Sequence, residues 1–261
     1  MIFLGPCLVF LLFIAPGIRL LTLAFRTRQS PEFWGGLYFL GAAVGLSGRV
    51  LGSSLLATEP ALANSINVIG HLAFASGTIA MTIFTVRVFH PSQKGARILA
   101  WTAVAAILAT SAHTLIGGYA SIENSYSMVA TNLARLFPTS WAFYESLRYW
   151  RAMRRRDSLG LADPIVTNRF LLWSIWTGAV SALPLIALAL RLVAILALGS
   201  EPDDRLLGTE LAMAMLKFVA IFFVAVAPLA ATALTLSFFP PATYLERVRR
   251  RARSAREAGG S

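Results

Sequence analysis

The sequence predicts an all-α integral membrane protein: a bundle of seven transmembrane helices with the N-terminus outside and the C-terminus in the cytosol. Three observations carry that expectation. The 261 residues are 57% hydrophobic and only 13% charged, with a mean hydropathy of +0.67, whereas a soluble domain of this size needs far more charge to cover its surface. The apolar residues gather into runs that match the roughly 20 residues a helix needs to cross about 30 Å of hydrocarbon. The basic residues favour every second connection along the chain.

The runs lie at about 2–25, 34–57, 65–89, 98–119, 126–149, 167–199 and 208–238. None alternates apolar and polar residues with a period of two, and backbone groups must pair internally in lipid, so each run is expected to be a helix. The first, MIFLGPCLVFLLFIAPGIRLLTLAF, has no basic residue before its apolar stretch and several after it. That is the reverse of a secretory leader, so it is expected to remain as a helix of the bundle. The single cysteine, Cys7, excludes an internal disulfide and any CxxC site. Its setting, LGPCL, lacks the small residues of a lipoprotein cleavage box and reads as a buried thiol.

The connections fix the orientation. RTRQSPE, VRVFHPSQKGAR, RYWRAMRRRDSLGLADPIVTNR and the tail ERVRRRARSARE hold 17 of the 23 Lys and Arg residues. The alternate segments ATEPALAN, GGYASIENSY and GSEPDDRLLGTE hold six acids and, among basic residues, only Arg205. Basic segments stay cytosolic, which sets the N-terminus outside; the short loops and the lack of glycosylation sequons lead us to expect a prokaryotic inner (plasma) membrane. The net charge of +11 is thereby explained by topology and contact with anionic headgroups, and nucleic-acid binding is not expected. Residues 1–240 form the predicted transmembrane domain and 241–261 a basic cytoplasmic tail, amphipathic or disordered. In the longest cytosolic connection, Asp163 before Pro164 reads as a helix cap with proline in the first turn, and the LGL before it allows a bend.

Five basic side chains fall inside the predicted spans: Arg19, Arg49, Arg135, Arg191 and Lys217. Each costs about 2.5–3.5 kcal/mol at mid-span on insertion scales. Arg19 is near an inner end and can extend to the headgroups. The other four come from the second, fifth, sixth and seventh spans, each about eight or nine residues from an outer end, or about 12–14 Å deep. His71 and His113, each about six residues in at that rise, share the layer, and Asn132 lies one turn from Arg135. Cations without matching carboxylates repel one another and lose hydration, so an anion is expected among them. Glu145 is deeper and is expected to pair with Arg148 or Arg169. Pro138, Pro184 and Pro228 fall in the three spans carrying Arg135, Arg191 and Lys217, where they permit kinks.

Arg49, Arg135, Arg191 and Lys217 are therefore candidates for binding an anionic small molecule or lipid headgroup in an outward-facing cavity, with His71, His113 and Asn132 as hydrogen-bonding partners. A cytosolic partner would receive the signal. An alternative is a b-type haem held by His71 and His113, with arginines toward the propionates; another is a structural subunit of a membrane complex. A retinal protein is excluded by the lack of Asp or Glu in the third span and by Met213 four residues before Lys217. Three histidines without HxxxH or HExxH offer no zinc site, and no nucleophile elbow or phosphate loop points to an enzyme. In topology the predicted bundle resembles the seven-helix modules that precede histidine kinase or cyclase domains in bacterial sensors.

A fluorescent protein fused to the C-terminus is expected to fluoresce in the cytosol, and alkaline phosphatase fused there to stay inactive. Phosphatase activity at the C-terminus would reverse the assigned orientation.

Overall fold

The structure, a computed structural model, describes residues 4–56, 58–116, 125–198, 226 and 228–259. Helices make up almost all of them, and no strand occurs among the described residues. In chain order they are α1 (Leu4–Thr27), α2 (Ser30–Leu55), α3 (Pro60–Phe89), α4 (Lys94–Ile116), α5 (Ser125–Ser158), α6 (Pro164–Leu198), α7 (Pro228–Phe238) and α8 (Ala242–Gly259). Stretches of α1, α3, α4 and α6 are long and apolar enough to cross a membrane. The stretches in α2 and α5 that the sequence reading takes as spans are not among these four. Six glycines and Arg49 dilute α2, while Asn132, Arg135, Thr139 and Glu145 dilute α5.

The helix starts follow the local chemistry. Pro31 and Pro60 lie in the first turns of α2 and α3, where a missing N–H costs nothing. Asp163 caps α6: its Oδ1 accepts a hydrogen bond from the Ile165 N–H at 2.8 Å, with Pro164 in the first position. Gly160, with φ of 74°, makes the left-handed turn before it. Prolines also lie inside helices that continue through them, Pro16 in α1, Pro138 in α5 and Pro184 in α6.

The chain divides into two compact units, Met1–Thr139 and Ser140–Ser261, with the boundary inside α5. In the first unit α1 packs on α2, α2 on α3 and α3 on α4. The α2–α3 contact is a glycine seam. A Cβ on Gly41 would lie 2.5 Å from the Ala73 carbonyl oxygen and 2.7 Å from Gly77 Cα. One on Gly45 would lie 2.5 Å from Phe74 Cβ, one on Gly48 3.1 Å from Gly70 Cα, and one on Gly52 would overlap the Asn67 carboxamide. Between membrane helices, where lipid tails are as apolar as leucine, such backbone approach supplies the packing that hydrophobic exclusion does not.

The distribution of residue types on α4 runs opposite to that of a soluble helix. Ala100, Val104, Ile107, Ser111 and Thr114 face inward at spacings of three and four, while Ile98, Trp101, Leu108 and Ile116 are exposed. Small and polar groups inside with large apolar groups outside is the pattern that lipid as solvent selects. Buried hydroxyls of α3 are satisfied locally: Thr78 donates to the Phe74 carbonyl at 2.8 Å, Thr82 to Thr78 at 3.1 Å and Thr85 to Met81 at 2.9 Å.

In the second unit, α6 buries Thr167, Ser174, Thr177 and Ser181 along one stripe, and Trp173 meets Phe238 of α7 edge-on at 5.8 Å. The chain leaves α7 through Phe239, Pro240 and Pro241 and resumes as α8. This last helix is held to α6 by the Asn168 side-chain N–H, which donates to Tyr244 Oη at 2.7 Å. The 241–261 tail is thus helical over Ala242–Gly259, with Leu245, Val248 and Ala252 half-buried and Arg247, Arg249 and Arg250 exposed.

Gly41→Leu or Gly45→Leu is expected to lower the thermal midpoint in detergent, by the equivalent of about 1–3 kcal/mol for overpacking. Gly95, where an added Cβ meets nothing within 4 Å, is the control. Gly95→Ala is expected to leave the midpoint unchanged or raise it.

Candidate functional site

The described part of the predicted cationic layer lies in the first unit and is organised by α3. Asn67 and His71 stand one helical turn apart on its buried side, 8% and 1% exposed respectively. Asn67 fits only because its partner position on α2 is Gly52. A buried imidazole in apolar surroundings is costly unless its nitrogens are bonded. Arg135 of α5 supplies the bond: its Nη2 lies 2.9 Å from His71 Nδ1. A guanidinium has donors only, so Nδ1 accepts, and the ring in this contact is the neutral tautomer with hydrogen on Nε2.

The same guanidinium is held from a second direction. Its central carbon lies 5.0 Å from the centroid of the Phe74 ring, one turn along α3 from His71. A cation over an aromatic face gains about 0.5–2 kcal/mol, more where water is excluded. Arg135 is half-buried, so this contact offsets part of the hydration it loses.

Arg49 enters from α2. The glycine seam sets its height, because a Cβ on Gly70 would come within 3.4 Å of the Arg49 backbone nitrogen, and Gly70 is the residue before His71. The charges of both Arg135 and Arg49 bear on the His71 ring. Arg49 is half-buried and makes no hydrogen bond or ion pair among the described residues. The arrangement therefore presents two cations beside a neutral imidazole, a set of groups suited to an anion with several acceptor oxygens.

Of the residues singled out in the sequence, His71, Arg135 and Arg49 are brought together. Asn132 is half-buried on α5, three residues before Arg135. His113 is exposed on α4, where Ser111 and Thr114 turn inward on either side of it. Arg191 lies in α6, with its side chain outside the described set, and Lys217 lies outside the described residues. Glu145 is 3% exposed and reaches Arg148 at 3.6 Å. Among the described residues, no group of three or more His, Cys, Asp and Glu could hold a metal ion.

Two neighbours of the site escape the sequence reading: Asn67 and Phe74. The spacing of Asn67 and His71, four apart in an apolar run, signals a shared helical face. Phe74 carries no such signal. No protein-family model matches the chain, and no curated protein or solved structure is significantly similar to it.

A double-mutant cycle tests the contact. Arg135→Met and His71→Phe are each expected to destabilise the protein in detergent melts, the double variant by less than the sum. The coupling is expected at about 1–2 kcal/mol, the range for neighbouring hydrogen-bonded groups. Strict additivity would show that Arg135 and His71 do not interact.

Proposed function

We propose that this chain is a seven-helix receptor of an inner (plasma) membrane, N-terminus outside, that binds an anionic small molecule or lipid headgroup in a cationic cavity on the outer side. The observation that carries this reading is the Arg135 guanidinium 2.9 Å from His71, with Arg49 held across the glycine seam beside Gly70, the residue before His71. Burying cations from two helices beside one neutral ring is unfavourable for stability alone, and an anion that both can reach reverses the sign. Asn132, three residues before Arg135 on α5, joins the proposed lining.

Seven spans follow from adding α2, α5 and the 208–238 segment to the four helices that are long and apolar enough by themselves. The first two are less apolar because they carry the glycine seam and the polar groups of the site. In lipid such groups are tolerated when they face the bundle interior. The alternation of basic segments supports the orientation.

Signalling to a cytosolic partner would use the 148–169 segment and α8. Both are rich in exposed arginine, and Asn168 joins α8 to the start of α6 through Tyr244. A ligand that changes the packing of α5 shifts the population of conformations in the only way binding can, by preferring one of them.

Melting the detergent-purified protein with sulfate, phosphate, malonate or citrate at constant ionic strength tests the reading. At least one anion is expected to stabilise the protein, by about 2.7 kcal/mol at a concentration of 100 times its Kd. Arg135→Gln and Arg49→Gln are expected to abolish that response. Equal behaviour of wild type and both variants across the panel would overturn the proposal.

A further inference from the structure

A second group of cations lies away from the site just described and shares no residue with it. Where α1 ends, α2 begins and α3 ends, a cavity of about 500 Å³ is lined by Phe25, Arg28, Ser30, Phe33, Trp34 and Arg87, among others. Its lining contains two guanidinium groups and no carboxylate.

Arg28 is the informative residue. It follows the last turn of α1 with φ of 56°, and its N–H donates to the Ala24 carbonyl at 2.8 Å. This is the left-handed position that closes a helix, where glycine or asparagine is the ordinary choice because a Cβ is strained there. Among the described residues, Arg28 is the one non-glycine residue with positive φ. A favourable helix dipole accounts for a cation near the ends of α1 and α3. It does not account for accepting backbone strain to place one there, nor for directing both arginines to one cavity.

The start of α2 faces the same cavity. Its N-cap residue, Gln29, makes no side-chain capping bond, and Glu32 Oε2 is buried without a hydrogen-bond partner among the described residues, so the first-turn amides that α2 has beside Pro31, those of Ser30, Glu32 and Phe33, lack side-chain partners. Free amides at a helix start favour anions with acceptor oxygens. The remaining wall is apolar: Phe25 is 75% exposed, and Phe33 and Trp34 meet edge-on with centroids 5.5 Å apart beside it. Exposed aromatic side chains flanking cations at a helix end are typical of the headgroup level of a bilayer.

We propose that this cavity binds an anionic phospholipid, its phosphate taken by Arg28, Arg87 and the first amides of α2, and its acyl chains lying along Phe25 and Phe33. The phosphate chemistry would suit inorganic phosphate equally, but the exposed phenyl rings fit only the lipid. A volume of about 500 Å³ is within the range of small-molecule sites, which span about 300–1,000 Å³.

Native mass spectrometry of the full-length protein, exchanged between phosphatidylglycerol and phosphatidylcholine in detergent, tests this. Wild type is expected to retain phosphatidylglycerol with roughly tenfold preference, the size of one or two charge-assisted contacts. Arg28→Gly and Arg87→Gln are each expected to reduce that preference severalfold. Arg28→Gly is also expected to hold or raise the thermal midpoint, because it relieves the left-handed strain, and that separates lipid binding from a structural role. The control is Arg26→Gln, an exposed cation outside the cavity lining. A loss of preference in Arg26→Gln equal to that in Arg28→Gly would replace the cavity with diffuse surface charge. Unchanged preference in both cavity variants, or displacement of the lipid by millimolar inorganic phosphate, would overturn the proposal.

Discussion

The close approach of α2 and α3 is the contact on which the rest of the first unit depends. Gly41, Gly45, Gly48 and Gly52 occur at the spacing of one helical face; the first three meet backbone or a first side-chain carbon of α3, and Gly52 meets the Asn67 carboxamide. Two helices in lipid gain little from excluding apolar surface, so their association rests on van der Waals contact and on a few polar bonds. Glycine maximises the former by letting main chains touch. It also fixes the axial position of everything else on the two helices: the height of Arg49 relative to His71 is a consequence of Gly48 meeting Gly70, not of any attraction between the polar groups.

The polar groups then create a problem that the fold solves only in part. His71 is buried, and Arg135 answers it with a hydrogen bond while resting on Phe74. Each of these contacts reduces the cost of a guanidinium out of water without neutralising its charge. Arg49 adds a second positive charge near the same ring. Stability alone would favour apolar residues of similar size at these positions, and the proposal of a bound anion rests on that cost. The cavity lined by Arg28 and Arg87 has the same logic in a different setting, with aromatic side chains and helix amides in place of the imidazole.

Most helices are legible in the sequence because lipid imposes a simple rule on composition and length. The starts of α2, α3 and α6 are legible for a different reason, since Pro31, Pro60 and the Asp163–Pro164 pair each specify local backbone geometry. The common layer of Arg49, His71 and Arg135 can be found by counting residues from helix ends, because helical rise converts sequence distance into depth. Direction around the helix axis is harder to read. Equal depth groups His113 with His71, yet α4 turns Ser111 and Thr114 inward and leaves His113 outside. The cation–aromatic contact of Arg135 with Phe74 joins residues 61 positions apart, and no local pattern encodes it. The composition of the tail allows either an amphipathic helix or disorder, and the structure is helical over Ala242–Gly259.

The repeat of the glycine seam has one more consequence. Moving α2 along α3 by a single residue would set Ala42, Leu46 and Arg49 against main chain where no Cβ fits, and a displacement of one whole turn, about 5.4 Å, still sets Arg49 and Leu56, or Leu37 and Val44, into two of the four notches. The pair is thus keyed to one register, like a cut key in its lock: α2 and α3 can separate or travel together, but sliding of one along the other is barred in either direction.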